Sequence, residues 1–248
     1  MTDLDLRGRT AVITGAGDGI GRALALKAAA EGMALALCDV DADRLAQTAA
    51  MAEAQGAAVT SAVLDVRDAP GLQRFAAATP GSIALMFANA GLLRPGPVLS
   101  QPVAEIQLML EVNVMGVVNT LQAFLPRMTA QSEPSRAVIT GSQASFVLFA
   151  NNGGYCASKH ALLALAESLA QELAATPVGV SLLAPGAVAT AIHGEAASPN
   201  AASAMSAEAA AGIAFAGALR GDFLISTHAD LAARLAARQA DQQAMLAR

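Results

Sequence analysis

Tyrosine occurs once in this 248-residue chain, at Tyr155, and lysine only twice, at Lys27 and Lys159. The one phenol therefore stands four residues before one of the two ammonium groups. Residues 161–173, ALLALAESLAQEL, are strong helix formers free of glycine and proline, which places the pair on a helix. Positions i and i+4 are neighbours on one helix face. An ammonium beside a phenol favours the phenolate and lowers a pKa that is otherwise about 10. Proton exchange is the chemistry such a pair can do; a helix-surface contact without consequence is the other reading.

A second stretch with chemical meaning is TGAGDGIG, Thr14 to Gly21, which follows an apolar strand and opens directly into a helical pattern. Glycine permits the tight turn and lets main-chain N–H groups approach a pyrophosphate at the positive end of a helix. Asp39 ends the next apolar run, where a carboxylate can accept hydrogen bonds from an adenosine ribose. It could instead cap the following helix, but Asp41 is better placed for that.

The elements that must position these groups alternate from end to end. TAVIT (10–14), MALALCD (33–39), AAVTSAVLD (57–65), SIALMFAN (82–89), SRAVITG (135–141), GVSLLA (179–184) and DFLIS (222–226) read as strands. They are continuous apolar runs, as expected of parallel strands buried on both faces. Helical stretches such as GRALALKAAAEG and DADRLAQTAAMAEAQG lie between them, the latter with Gly56 as its stop. The alternation predicts an α/β fold: one Rossmann-like domain over residues 1–248, a doubly wound parallel sheet of about seven strands flanked by helices. Residues 193–206, HGEAASPNAASAMS, are rich in small residues and lack periodicity; they read as a lid beyond the carboxyl end of the sheet or as a plain surface loop. Residues 191–215 are expected to form a substrate loop and short helix, and 228–247 a C-terminal helix.

Composition narrows the function classes. Hydrophobic residues are 54% and charged residues 14%, yet no uninterrupted apolar run approaches the roughly 18 residues that cross a bilayer. The acidic start MTDLDLRGRT does not have the pattern of a signal peptide, so a soluble, cytoplasmic protein without membrane contact is expected. A formal net charge of −5 with scattered basic residues speaks against a nucleic-acid partner. Cys38 and Cys156 form no metal spacing and no disulfide framework, and read as buried thiols in a reducing compartment. His160, His193 and His228 are too dispersed for a metal site, and none is expected.

The spacing Thr-Gly-x-x-x-Gly-x-Gly resembles the short-chain dehydrogenase/reductase family. Further marks follow in order: LDV at Leu64–Val66, NAG at Asn89–Gly91, Asn113, Ser142, Tyr-x-x-x-Lys at Tyr155 and Lys159, and PGAVAT at Pro185–Thr190. The resemblance spans roughly residues 8 to 190. It implies an NAD-dependent oxidoreductase moving a hydride between the cofactor and a secondary alcohol or ketone, as a homotetramer or homodimer. Tyr155 would be general base or acid; Lys159 would lower its pKa and hydrogen-bond the nicotinamide ribose. Ser142 would hold the substrate oxygen, and Asn113 would position a water joining Lys159 to solvent. Gly15, Asp18, Gly19, Ile20 and Gly21 would surround the pyrophosphate and adjoining ribose. Asp39 would bind the adenosine ribose hydroxyls, Asp65 and Val66 would frame the adenine, and Asn89 with Gly91 would pass under the adenosine ribose. Val188 and Thr190 would meet the nicotinamide carboxamide. Asp39, with no cation beside it and Arg44 expected in solvent, implies NAD over NADP. The run Phe146, Val147, Leu148, Phe149 is expected along a largely apolar substrate pocket, with Gln143, Asn151 and Asn152 available for polar groups. Two departures stand out: Ala88 where the family often has asparagine, and the closing segment 221–248, which lacks the usual Asp-Gly-Gly-like stretch. A non-catalytic dinucleotide-binding regulator on the same fold is the alternative reading.

Overall fold

Short apolar runs rich in valine, isoleucine and leucine become strands. The computed structural model describes residues 4–190, 192 and 204–246. In it the chain runs β1 (Thr10–Thr14), α1 (Gly19–Ala30), β2 (Ala34–Asp39), α2 (Ala42–Glu53), β3 (Val59–Val63), α3 (Ala69–Ala78) and β4 (Ile83–Ala88). It continues through α4 (Val103–Leu110), α5 (Gly116–Ala130), β5 (Ser135–Thr140), α6 (Gly153–Glu172), β6 (Val178–Ala184), α7 (Ala207–Arg220), β7 (Leu224–Ser226) and α8 (Leu231–Leu246). Each of the seven expected strands forms. Asp41 caps α2 by accepting from Arg44 N–H at 3.0 Å, and Gly56 beyond its end adopts φ +90°.

The strands form one parallel sheet in the order β3-β2-β1-β4-β5-β6-β7. The order reverses between β1 and β4, and the carboxyl ends of those two strands open a crevice there. Every residue of β1 and β4 is buried. The edge strands correct the expectation of burial on both faces: Ser61 and Val63 of β3 and Leu224 of β7 are exposed.

Side chains alternate across the sheet and divide the core in two. Ala11 and Ile13 join Leu35, Leu85 and Phe87 on the face covered by α1 and α7. Val12 joins Met86, Ile139, Phe75, Phe124 and Leu162 on the face covered by α3, α5 and α6. Alanines let α1 and α7 approach each other closely, with Ala25, Ala28, Ala210 and Ala214 fully buried. Phe87 stacks on Phe215 at 5.6 Å, and Phe75 meets Phe124 edge-on at 6.0 Å. Cys38 and Cys156 are both free and buried.

Helices α4 and α5 are continuous through a π-helical turn, Glu111–Met115. The resulting helix is long and apolar enough to span a bilayer by length and composition. Its buried residues Met109, Val117, Leu121, Phe124 and Met128 face the protein, where it packs against β4, α3 and α6. Of the segment expected as a substrate loop, residues 191 and 193–203 lie outside the described residues; α7 follows it.

Candidate active site

The glycine loop owes its path to close approaches that a side chain would block. A Cβ on Gly21 would overlap the Gly15 carbonyl. Gly15 (φ +66°) and Gly19 (φ +53°) have left-handed backbones, and a Cβ on either would come within 2.8 Å of Ala90 or Thr190. The loop ends at the N-terminus of α1, which Asp18 caps by accepting from Gly19 N–H at 2.7 Å. Gly17, which the motif leaves unspecified, donates its N–H to Asp39 Oδ2 at 2.8 Å and leaves no room for a Cβ against that carboxylate. Its partner oxygen Oδ1 accepts from Asp41 N–H at 2.9 Å. Asp39 is thereby held at the cleft wall. Asn89 and Ala90 donate their N–H groups to Thr14 Oγ1 at 3.0 and 3.1 Å, which ties the NAG turn to the end of β1.

Tyr155 and Lys159 lie one turn apart on α6, with the ammonium nitrogen 5.7 Å from the phenol ring centre. Lys159 is buried and donates to Thr140 O at 2.9 Å. Burial pushes the ammonium down to about 8. Burial pushes the phenol up to about 12, against the contact with the Ser142 hydroxyl, which acts to lower it. The expected lowering of the phenol by Lys159 is therefore not what this geometry gives; desolvation wins. Ser142 caps the 3-10 turn Gln143–Ser145, accepting from Ala144 N–H at 3.0 Å.

Asn113 occupies the π-helical turn, a distortion common at functional sites. Its carboxamide is fully buried and fixed: Nδ2 donates to Leu92 O and Ser158 Oγ, both at 3.0 Å, and Oδ1 accepts from Leu92 N–H at 2.8 Å. Gly91 separates it from the ammonium, since a Cβ there would lie 3.3 Å from Asn113 Oδ1 and 3.5 Å from Lys159 Nζ. Ser158 completes the support by donating to Tyr155 O at 2.7 Å.

One cavity of about 910 Å³ joins these groups. Its wall includes Gly15, Asp18, Gly19, Ile20, Gly21, Asp39, Asn89, Gly91, Ser142, Tyr155, Lys159, Val188 and Thr190. Asp65, Val66 and the fully buried Asn113 do not reach it. The Leu64 N–H bonds Asp39 O at 2.8 Å, which sets the LDV turn beside the cleft, but the Asp65 carboxylate turns to Arg67 at 2.6 Å, an ion pair that holds its pKa below the usual carboxylate range. Val66 is buried against Gly116. Two further expectations are amended. Arg44 is exposed, as expected, but it also lines the cavity and pairs with Asp18 at 3.0 Å and Asp41 at 3.3 Å. Of the apolar run after Ser142, only Phe149 lines the cavity; Phe146 and Val147 enter the core and Leu148 is exposed. Gln143 and Asn152 line the cavity, while Asn151, at φ +60°, does not.

Sequence reasoning missed Gly17, Thr140, Ser158, and the wall built by Arg94, His228, Asp230 and Arg234. Gly17 carried a faint signal, as an additional glycine inside the loop. Thr140 acts through its carbonyl, which no residue type reveals. Among the described residues no cluster of histidine, cysteine or carboxylate could hold a metal ion. A dinucleotide fits what the loop offers: a helix N-terminus and a floor at positions 15, 19 and 21 with no room for side chains.

A doubly wound sheet with a glycine loop at its switch point defines a Rossmann-type nucleotide-binding fold. The sequence profile described as short chain dehydrogenase matches residues 9–201. The chain belongs to the short-chain dehydrogenase family of oxidoreductases. Among characterised relatives, the 1-deoxy-11-beta-hydroxypentalenate dehydrogenase of Streptomyces exfoliatus is 38% identical over 192 residues, covering 75% of this chain and 70% of its own. A short-chain dehydrogenase/reductase from Burkholderia phymatum, solved in complex with NAD, superposes with a TM-score of 0.91 at 32% identity over 99% of this chain and 97% of its own. An alcohol dehydrogenase from Thermococcus sibiricus, complexed with 5-hydroxy-NADP, has a TM-score of 0.77 at 33% identity, covering 83% and 88%.

Proposed function

We propose that this protein is an NAD-dependent oxidoreductase that interconverts a secondary alcohol and its ketone, with Tyr155 as the proton-transfer group. The observation that carries the reading is the meeting of Tyr155, Lys159 and Ser142 on the wall of the cavity that also holds the glycine loop and Asp39. Bound there, a nicotinamide dinucleotide supplies the hydride acceptor or donor. Gly15, Asp18, Gly19, Ile20 and Gly21 would hold its pyrophosphate and adjoining ribose, Asn89 and Gly91 its adenosine ribose, and Val188 and Thr190 its carboxamide. Asp65 and Val66 act, on this reading, from beside the cleft by setting the turn next to Asp39.

Ser142 orients the substrate oxygen by a hydrogen bond. In oxidation Tyr155 Oη takes the hydroxyl proton; in reduction it returns one to the carbonyl oxygen. Lys159 contributes positive charge behind the phenol, and Asn113, fixed in the π-turn next to it, positions a water that passes protons to solvent. Asp39 favours NAD: its carboxylate is fixed by Gly17 and Asp41, and would face the added phosphate of NADP, of charge about −1.5 to −2. Arg44 does not answer that phosphate, because Asp18 and Asp41 already take its charge. The Burkholderia phymatum relative was solved with NAD and the Thermococcus sibiricus relative with 5-hydroxy-NADP, so the choice rests on Asp39.

The test is incubation with NAD and a panel of secondary alcohols, following NADH absorbance. Turnover in the native protein and none in Tyr155→Phe is the expected result. NAD binding without turnover of any alcohol would instead identify a regulator.

A further inference from the structure

The cavity is electrically divided along its length. At the glycine-loop end stand Asp18, Asp39 and Asp41, with Arg44 committed to two of them. At the Tyr155 end the charged or titratable wall groups are Arg94, Lys159, His228, Asp230 and Arg234. Asp230 is the one carboxylate there among the described residues. It is already engaged, with Arg234 Nε at 2.6 Å and with Gln143 Nε2 at 2.9 Å. Lys159 is buried on Thr140 O. Arg94 is different: it is exposed at the rim, its guanidinium donates only to Leu93 O at 3.2 Å, and no carboxylate among the described residues pairs with it.

The backbone under Arg94 is fixed. Its carbonyl accepts from Gln101 Nε2 at 2.7 Å, and its N–H contacts Met109 Sδ at 3.4 Å. Two residues on, Gly96 N–H donates to Asn151 O at 2.7 Å and Gly96 pairs with Asn152. Arg94 is thus stitched beside the N-terminus of the helix that carries Tyr155. A planar fork of donors on an anchored backbone suits a carboxylate, which it can bind bidentately.

Resting on the oxidoreductase reading above, we infer that the substrate is a hydroxy acid or keto acid whose carboxylate, remote from the reacting carbon, is bound by Arg94. The apolar frame between the two ends meets Leu93 and Phe149, which line the same stretch of wall. Arg94 is a specificity-determining residue in this scheme, and Tyr155 acts on the carbinol regardless of what Arg94 holds.

The test measures kcat/KM on a panel of apolar secondary hydroxy acids, each paired with its methyl ester. The native enzyme prefers the acid at least tenfold through KM, and this preference shrinks as ionic strength rises from about 0.05 to about 0.5 M. Arg94→Gln brings the acid-to-ester ratio close to one, and Arg94→Lys keeps part of it. Esters turned over as well as acids by the native enzyme, or an unchanged ratio in Arg94→Gln, would overturn the inference while leaving the oxidoreductase reading intact. Failure of the native enzyme to turn over any member, acid or ester, would overturn both. Should Arg94→Gln not fold, the salt dependence of the native preference decides: its absence counts against the inference.

Discussion

In the proposed reaction Tyr155 must ionise to take a proton, and its surroundings make that hard: burial raises its pKa to about 12. Below that value the phenolate fraction grows about tenfold per pH unit. Lys159, pushed down to about 8, loses its charge partway through the same range, removing its support for the phenolate. Alcohol oxidation should therefore accelerate as pH rises and flatten above about pH 8, while ketone reduction, which draws on the protonated phenol, stays nearly constant until pH approaches about 12. Initial rates in both directions across this range check the prediction, and a flat oxidation profile would contradict it. The pairing of Tyr155 with Lys159 was legible in the sequence because helical spacing alone brings i and i+4 together. The balance between burial and charge was not, because desolvation depends on what packs around α6.

At the scale of elements, the glycine loop and β2 work as one unit, since Gly17 N–H holds the Asp39 carboxylate. A Cβ on Gly17 would lie 2.9 Å from Asp39 Cγ and must displace it. Gly17→Ala should raise KM for NAD by about tenfold and narrow the preference for NAD over NADP, a change of about 1.4 kcal/mol. Comparing kcat/KM for the two cofactors in both forms reads this out; an unchanged preference would mean that Asp39 does not discriminate. The seven strands and the glycine turn were readable because buried parallel strands are continuous apolar runs and a left-handed turn demands glycine. β3 carries Thr60 and Ser61 where β2 is apolar up to Asp39, a faint sign of exposure, and its place at an edge emerged from the strand order. The three-residue turn after Ser142 is too short to carry a period, and this hid which of Phe146, Val147, Leu148 and Phe149 would reach the cleft. Arg94 and Asp230 come from loops far apart in sequence, and only the assembled sheet and the Gly96–Asn152 pairing bring them to one cavity.

The whole molecule accommodates a buried ammonium, and this should register in its stability. In the unfolded chain Lys159 has a pKa of 10.5, and in the folded protein about 8. Between these values the unfolded state binds more protons, so stability rises with pH across that window. Lys159→Met should flatten the pH dependence of Tm between about pH 8 and about pH 10 relative to the native protein, measured by thermal unfolding. An identical pH dependence in both would show that the ammonium is not destabilised by the fold. Elsewhere the core tolerates less: Phe87→Ala, which removes a fully buried ring stacked on Phe215, should cost about 3–5 kcal/mol in denaturant titration. The fold as a whole brings Tyr155 and the glycine loop to one cavity, and Tyr155→Phe separates the proton transfer proposed for the one from the dinucleotide binding proposed for the other. The measurement is kcat with a secondary alcohol alongside the NAD dissociation constant of the same variant. The account predicts a loss in kcat of about 10²–10⁴-fold with NAD affinity nearly unchanged; near-normal turnover by Tyr155→Phe would contradict it.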